Sequence, residues 1–540
     1  MNFRFLGGLC LGLACLSSCV DVDKSLGQSY MAKNQQYDIY TAEFPIDDIR
    51  MEKPEELSAA SSYRFIVGAI RDPLFGLTTR ATTFTLVPVM DTLDFGKPGT
   101  QKLKRFHFVA PIDTLSYASE SQAHILQNIN VYEVEDYVDL TKASQEVKHG
   151  NRRITKTVPI YDGGDSLTFD FTEEFARKYM EITQADLDTI TTYSKKFPGI
   201  YLTADAPSGE GGRINMFKLP MDVASSYIYG SYAVLKFSAE YEDKGVVDTS
   251  FYFTLGNMDL YSFADVTSTS VSDYPQAAYN ITGSDSDGLA GQAGENYYME
   301  GGKGLKPVVK AASIREKVLA EVSKHGDPED IIISKATITL PFKFPEDYKD
   351  MAYYPTTMSP TCRIVSKDGT VTFASLTDSS VSTEDQGDVN RSTCVYAPDI
   401  THHTQQIVTL SDESKIENYD VWFLPVAEET VTSAADEEES SSEYSSYLQQ
   451  LAYASYYNNM YGGYGYGSSS YYGSSYYGNS YSNYYTYALL SQMYSSSSSS
   501  EETQSMLDLG RFYKAEFYGP GSDKKVPTFS ITYAVPVKQD

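Results

Sequence analysis

The sequence predicts an all-β protein: two antiparallel β-sandwich-like domains with a few accessory helices and a Tyr-rich low-complexity insertion. Three observations lead there. Short runs of β-branched and aromatic residues alternate with polar ones at a period of two. Gly, Pro, Asp and Asn clusters separate those runs at turn-like intervals. The chain resumes the same alternation after its low-complexity stretch, so that stretch interrupts a β domain rather than ending it.

In chain order, the first element is a leader. Arg4 supplies a positive charge and Phe5 to Leu16 an apolar run. That run is too short for a bilayer span, which needs about 20 residues. Leu16-Ser17-Ser18-Cys19 places a branched aliphatic residue three positions before a cysteine and small residues beside it. This is the pattern of a lipoprotein cleavage box, so residues 1–18 read as signal peptide and Cys19 as the lipidated first residue of the mature chain. Gly12 would occupy the same position for Cys15, which fits less well. Several acyl chains, each contributing about 0.8 kcal/mol per buried methylene, make a stable anchor where one chain does not. Residues 19–40 are polar and acidic, beginning Val20-Asp21-Val22-Asp23-Lys24, and read as a tether; acidic residues just past the lipidated Cys resemble the surface-export tether of Bacteroidota lipoproteins, which implies a body held at the outer membrane and facing the cell exterior, with a periplasm-facing leaflet as the alternative.

The first β domain is expected over 41–262. Tyr63 to Gly68, Thr82 to Val89, Phe106 to Val109 and Asn130 to Val134 are its half-buried strands, with Tyr63, Phe65 and Val67 sharing one face. Arg71-Asp72-Pro73-Leu74-Phe75-Gly76 is a tight connection. Thr172 to Ser194 reads as a helix. Gly199 to Thr203 and Arg213 to Phe217 flank a Gly-rich tip and read as a hairpin, as do Ala233 to Tyr241 and Val247 to Leu255 around Asp243-Lys244-Gly245. Residues 263–306 read as a linker or long loop, rich in Ser, Asp and Gly up to about residue 295.

The second β domain is expected over 307–433 and 505–540. Ser313-Ile314-Arg315-Glu316 is a capping box for a short helix that Gly326 stops. Strands are expected at Ile331 to Phe342, Gly369 to Phe373, Gln406 to Leu410 and Asp420 to Pro425, with a closing strand through Phe529, Ile531, Tyr533 and Val535. Residues 434–504 form the insertion: an acidic Ser-rich opening, a Tyr/Ser/Gly/Asn stretch and a serine run.

Four motifs appear in order behind the cleavage box: Gly68-Ala69-Ile70-Arg71-Asp72-Pro73-Leu74-Phe75-Gly76, Asn130-Val131-Tyr132-Glu133-Val134, Phe197-Pro198-Gly199-Ile200-Tyr201 and Tyr298-Met299-Glu300-Gly301-Gly302-Lys303-Gly304. Together they resemble the Bacteroidota outer-membrane lipoprotein family catalogued as domain of unknown function 4270, over about residues 19–345. The resemblance implies a β-rich outer-membrane lipoprotein and brings no catalytic residues with it.

Composition narrows the function classes. A net charge of −29 repels phosphate backbones, so nucleic acid is not an expected partner. Cys362 and Cys394 remain outside the leader; in an oxidising compartment they either pair, closing a loop of about 30 residues with about 3 kcal/mol of stabilisation, or sit as separate buried thiols. Ser208-Gly209-Glu210-Gly211-Gly212 lacks dinucleotide-loop spacing, and Gly301-Gly302-Lys303-Gly304 lacks that of a phosphate loop. Asp285-Ser286-Asp287-Gly288 echoes a calcium loop, but Glu295 falls one position late, so a solvated acidic loop is expected. His402-His403 reads as a surface loop pair facing opposite ways. No HExxH, CxxC or GxSxG motif occurs; no metal, cofactor or catalytic residue is expected. An acid pair for glycoside hydrolysis is set in space, and 72 Asp and Glu give no way to choose one by sequence.

The insertion carries the distinctive binding chemistry. Tyr supplies broad amphipathic faces with few rotors, set among adaptable Ser, Gly and Asn. Tyr447, Tyr456, Tyr457, Tyr471, Tyr472, Tyr476 and Tyr477 are the expected contact residues of an extracellular arm; the plainer alternative is a solvated loop. The expected role is therefore a non-enzymatic, surface-exposed binding or accessory subunit, with an outer-membrane β-barrel protein or a glycan as partner. An accessory part of an outer-membrane assembly or export machine and a surface glycan hydrolase are the alternatives.

Overall fold

The computed structural model describes residues 36–89, 93–113, 125–140, 142–187, 190–224, 227–256, 276–365, 371–376, 378, 386–434 and 499–537. The fold is all-β with accessory helices, and every ladder between its strands is antiparallel. Two large hydrophobic cores organise it.

The first core is aromatic. Phe65, Phe84, Phe108 and Phe217 converge from four strands, with ring centroids 5.0–6.4 Å apart in offset or tilted contacts. The strand Gly76–Pro88 lies at the centre of the surrounding sheet. It pairs with Arg64–Asp72, Ile200–Ala204, Gly245–Gly256 and Ala278–Ser284. The Asp72–Gly76 turn works through Asp72, whose Oδ1 accepts the N–H groups of Leu74 and Phe75, and through Gly76 at φ +72°, which a side chain would strain.

Arg64–Asp72 buries both faces. Phe65 and Val67 enter the aromatic core, while Ile66 and Ile70 pack with Ile214, Met216 and Phe512 on the other side. The alternation predicted a half-buried strand; Ile66 and Ile70 on its other face are buried too, because the segment near Phe512 covers that face.

The second core lies between two further sheets, one of five strands and one of seven, with the helices Ala311–Val322 and Thr401–Val408 against it. The first and the last described strands both enter this body. Tyr37–Pro45 pairs along its whole length with Thr528–Pro536, from Tyr37 opposite Pro536 to Pro45 opposite Thr528. Ile49–Glu52 pairs with Lys306–Val309. Residues 37–52, adjacent in sequence to the first core, thus belong to the sheets of the second.

Several local expectations are corrected. Ile200–Ala204 and Gly211–Lys218 are not paired with each other; the first joins Gln127–Val134 and Gly76–Pro88, the second joins Arg64–Asp72. The Thr172–Ser194 helix is not continuous: Glu173–Tyr179 ends and Gln184–Leu187 begins anew where Asp186 accepts the Thr183 N–H and hydroxyl, and Ile190–Lys196 is helical as well. Residues 276–306 are not a linker: Ala278–Ser284 is an inner strand and Asn296–Glu300 pairs with Lys514–Tyr518. Gln406 to Leu410 is not a strand, since Thr401–Val408 is helical. The capping box is not used either: the helix starts three residues earlier, with Lys310 rather than Ser313 at the N-cap and Ala311 as its first residue.

Candidate functional site

Two features combine unusual chemistry with a definite place in the fold: a long hairpin and a buried ionic cluster beside its foot.

The hairpin is formed by Val421–Ala434 and Ser499–Leu507. Its ladder runs in unbroken register from Val426 opposite Leu507 to Ala434 opposite Ser499. Nine pairs extend about 30 Å at ~3.3 Å per residue. The base is rooted in the body. Trp422 is buried edge-on against Phe373, centroids 5.3 Å apart, beside Leu57, Val308 and Leu424. Residues 435–498 therefore leave and re-enter the fold at the far end of one ladder. The serine-rich Ser499–Gln504, expected to belong to the insertion, is strand.

The cluster lies where the first body meets the segment after this hairpin. Arg80, Glu300 and Lys306 are all but completely buried. The Glu300 carboxylate accepts hydroxyl hydrogens from Thr78 (2.8 Å), Ser284 (2.7 Å) and Ser286 (2.7 Å). The Lys306 ammonium donates to three carbonyls, those of Glu300, Gly302 and Gly304, at 2.6, 2.9 and 2.8 Å. Burial pulls the Lys306 pKa down to about 7 against the attraction of Glu300. Three carbonyl acceptors match the three N–H groups of the charged form and work against that pull. Burial likewise lowers Arg80 to about 10, with Glu300 and Asp508 opposing it. Gly302 holds φ +60° against this guanidinium; a Cβ there would lie 2.6 Å from Arg80 Nη2, so only glycine leaves the arginine its place.

Beside Arg80 is a cavity of about 50 Å³, lined also by Asn280, Thr282, Lys303, Asp508 and Gly510. The Asp508 carboxylate is occupied: it accepts the N–H groups of Gly510 and Arg511, the Tyr513 hydroxyl and Arg511 Nε. Lys303 donates to the carbonyls of Ala143 and Glu55, and burial lowers its pKa to about 8. Arg80 spends one nitrogen, Nη1, on the Thr79 carbonyl at 3.1 Å. Its Nε and Nη2 have no acceptor among the described residues.

Cys19 and Tyr447, Tyr456, Tyr457, Tyr471, Tyr472, Tyr476 and Tyr477 lie outside the described residues. Cys362 and Cys394 are not joined in a disulfide in this structure. Cys362 is buried with its Sγ 3.8 Å from His403 Nε2, and Cys394 sits at φ 59° with its Sγ toward the Arg391 carbonyl. The histidine pair is not a surface loop. Both belong to the helix Thr401–Val408, and His403 is buried, its Nε2 2.9 Å from the Tyr419 carbonyl oxygen. Burial lowers the His403 pKa to about 4, so the ring is neutral at pH 7. A thiol and an imidazole in contact evoke nucleophilic chemistry, but both are buried and the ring nitrogen is engaged by a backbone carbonyl.

The Asp285 loop is a short 3₁₀ turn that feeds the ionic cluster: Ser286 is buried on Glu300, Asp285 Oδ2 accepts the Leu77 N–H, and Asp287 pairs with Lys53. Among the described residues, no group of three or more His, Cys, Asp or Glu is placed to hold a metal ion. Among them also, no helix is long and apolar enough to cross a membrane.

Sequence reasoning singled out Glu300 to Gly304 as a motif but missed Arg80, Lys306 and Asp508. The signal was slight: an Arg at the centre of Thr78-Thr79-Arg80-Ala81-Thr82-Thr83, in a strand flanked by buried partners on both edges. Comparison with family models, with curated proteins and with solved structures returned no match to this chain.

Proposed function

We propose that the chain is a non-enzymatic, lipid-anchored subunit at the outer surface of an outer membrane, and that it binds a β-barrel membrane protein or a glycan through the Tyr-rich segment. The observation that carries this reading is the hairpin. Its ladder, rooted at Trp422, carries residues 435–498 from the end at Ala434 and Ser499. A Tyr/Ser/Gly/Asn segment on such a stalk has the composition of a binding loop and a rigid mount. The resemblance of the four ordered motifs to a Bacteroidota outer-membrane lipoprotein family runs the same way. Residues 20–36 separate Cys19 from the first strand and reach about 60 Å when fully extended, enough for the body to stand clear of the bilayer.

Because Ala434 and Ser499 are cross-strand partners, Asn-Gly can replace residues 435–498 as a two-residue turn. The test is purification from native membranes in mild detergent, comparing the full chain with this excised form, alongside a glycan array. Retention of a barrel protein, or binding to a glycan, by the full chain and its loss on excision supports the proposal. An unchanged set of partners and glycans refutes it.

A further inference from the structure

We propose that Tyr37–Pro45 is an interface strand, which pairs antiparallel with the same strand of a second copy of the chain about a two-fold axis at Thr41. This contact is separate from the Tyr-rich segment.

The starting point is an unfilled hydrogen-bonding edge. Tyr37–Pro45 is the outermost strand of the five-stranded sheet and pairs on one side, with Thr528–Pro536. Two flanking bonds fix which residues that pairing uses. The Val537 N–H donates to the Gln36 carbonyl, and the Ile46 N–H to the Pro527 carbonyl. Even-numbered residues of the strand therefore direct their backbone groups at Thr528–Pro536. The N–H and C=O groups of Tyr37, Ile39, Thr41 and Glu43 point the other way. Among the described residues, none of those groups has a partner. The Pro45 carbonyl, at the end of the strand, is capped by Lys317.

Such an edge is a template for another strand, and proteins guard it with lysine, a bulge or proline. Here the strand holds no lysine, its register with Thr528–Pro536 has no bulge, and its one proline is the last residue. The opposite edge of the same sheet is Val389–Asn390, a strand of two residues. The first edge is long and open; the second is too short to template a partner.

The charges select the occupant. Two copies, each at a net charge of −29, repel at long range, so a contact between them has to keep acids apart at close range. A two-fold axis at Thr41 does so while using the whole strand. Thr41 meets Thr41 of the second copy, Ile39 meets Glu43, and Asp38 meets Phe44. Registers centred on Asp38 or Glu43 set like charges opposite each other and pair fewer residues. The strand is therefore complementary to itself in one full-length register, the condition for an isologous dimer. Apolar surface adds to this. Ile39 is 72% exposed in a row with Ala534 and Ile332, and Ile332 is 50% exposed. A strand added at the edge covers Ile39 and joins the two five-stranded sheets edge to edge.

The test is crosslinking of the full chain, in native membranes and in mild detergent, in a Cys394→Ser background that leaves Cys362 buried. In the two-fold pair, the Cα atoms of Thr41 and its copy lie about 5.5 Å apart, inside the range of roughly 4.4–6.8 Å that a disulfide spans. Those of Glu43 and its copy lie about 14 Å apart. Mild oxidation of Thr41→Cys is expected to give a homodimer, about fivefold or more above the yield from Glu43→Cys. Thr41→Pro removes an outward N–H and spares the ladder to Thr528–Pro536. It is expected to convert the dimer seen by sedimentation in detergent into monomer, with the circular dichroism spectrum unchanged. Equal dimer from the two cysteine positions, none from Thr41→Cys, an adduct with a different protein, or a dimer that survives Thr41→Pro overturns the proposal.

Discussion

Asp420 caps a helix that begins 109 residues before it: its Oδ1 accepts the Ala311 amide N–H at 2.8 Å while its Oδ2 meets Lys310 Nζ at 3.0 Å. The helix Thr401–Val408 is served the same way, with Asp378 accepting the N–H groups of His402 and His403. Both helices of the second body thus take a terminal acceptor from a distant segment, which satisfies orphan N–H groups and complements the helix dipole.

Asp420→Ala is expected to lower unfolding free energy by about 2 kcal/mol, since it removes a cap and leaves Lys310 one partner short. Asp420→Asn retains an acceptor for Ala311 and should cost less. Urea denaturation of the two variants checks the order.

Glu300→Gln should be among the most destabilising single changes in the chain. It removes the charge that offsets Arg80 and Lys306, at an expected cost of about 3–5 kcal/mol. The double variant Glu300→Gln/Arg80→Met removes a cation as well and should be less destabilised than the sum of the two singles. A denaturation cycle measures that coupling.

Acid should weaken the second body through His403. Its folded pKa is lowered to about 4 from 6.5, so the unfolded chain binds the proton more readily between those values. Stability from this group is complete above pH 6.5 and is lost as pH falls toward 4. The fall from pH 6 to pH 5 is expected to cost about 1 kcal/mol. Asp378 and Asp420, whose pKa values are raised by burial, act in the opposite sense at the acid end. His403→Gln should flatten the profile between pH 5 and pH 6.5, read by denaturation at each pH.

Cys362 and Cys394 should both react with iodoacetamide in denaturant without any reductant, adding two carbamidomethyl groups to the mature chain by mass. No addition would mean that the two had paired.

The sequence made the strands legible where period-two alternation coincided with burial. The hairpin from Tyr232 to Gly256, with Tyr241 opposite Gly245, was readable from Asp243-Lys244-Gly245 alone. So was the placement of the Tyr-rich segment inside the last β body. Non-local arrangements were hidden. Nothing near Ala311 announces Asp420, so the local Ser313/Glu316 pattern drew attention to the wrong start. Gln406 to Val408 has the alternation of a strand, and only the distant Asp378 and the burial of His403 and Ile407 along one helix make it helical. The pairing of Tyr37–Pro45 with Thr528–Pro536 spans nearly the whole chain. Arg80 and Glu300 are brought together by Thr78, Ser284 and Ser286, from a neighbouring pair of strands and the turn that follows.

Photo-crosslinking tests the proposed contact arm most directly. A benzophenone amino acid replaces Tyr472 in the segment between Ala434 and Ser499, or Val246, an exposed residue at the turn of another hairpin. Irradiated in native membranes, the Tyr472 position is expected to yield a discrete adduct with a membrane protein or glycan, and the Val246 position none. Equal labelling from both positions, or none from Tyr472, would contradict the account.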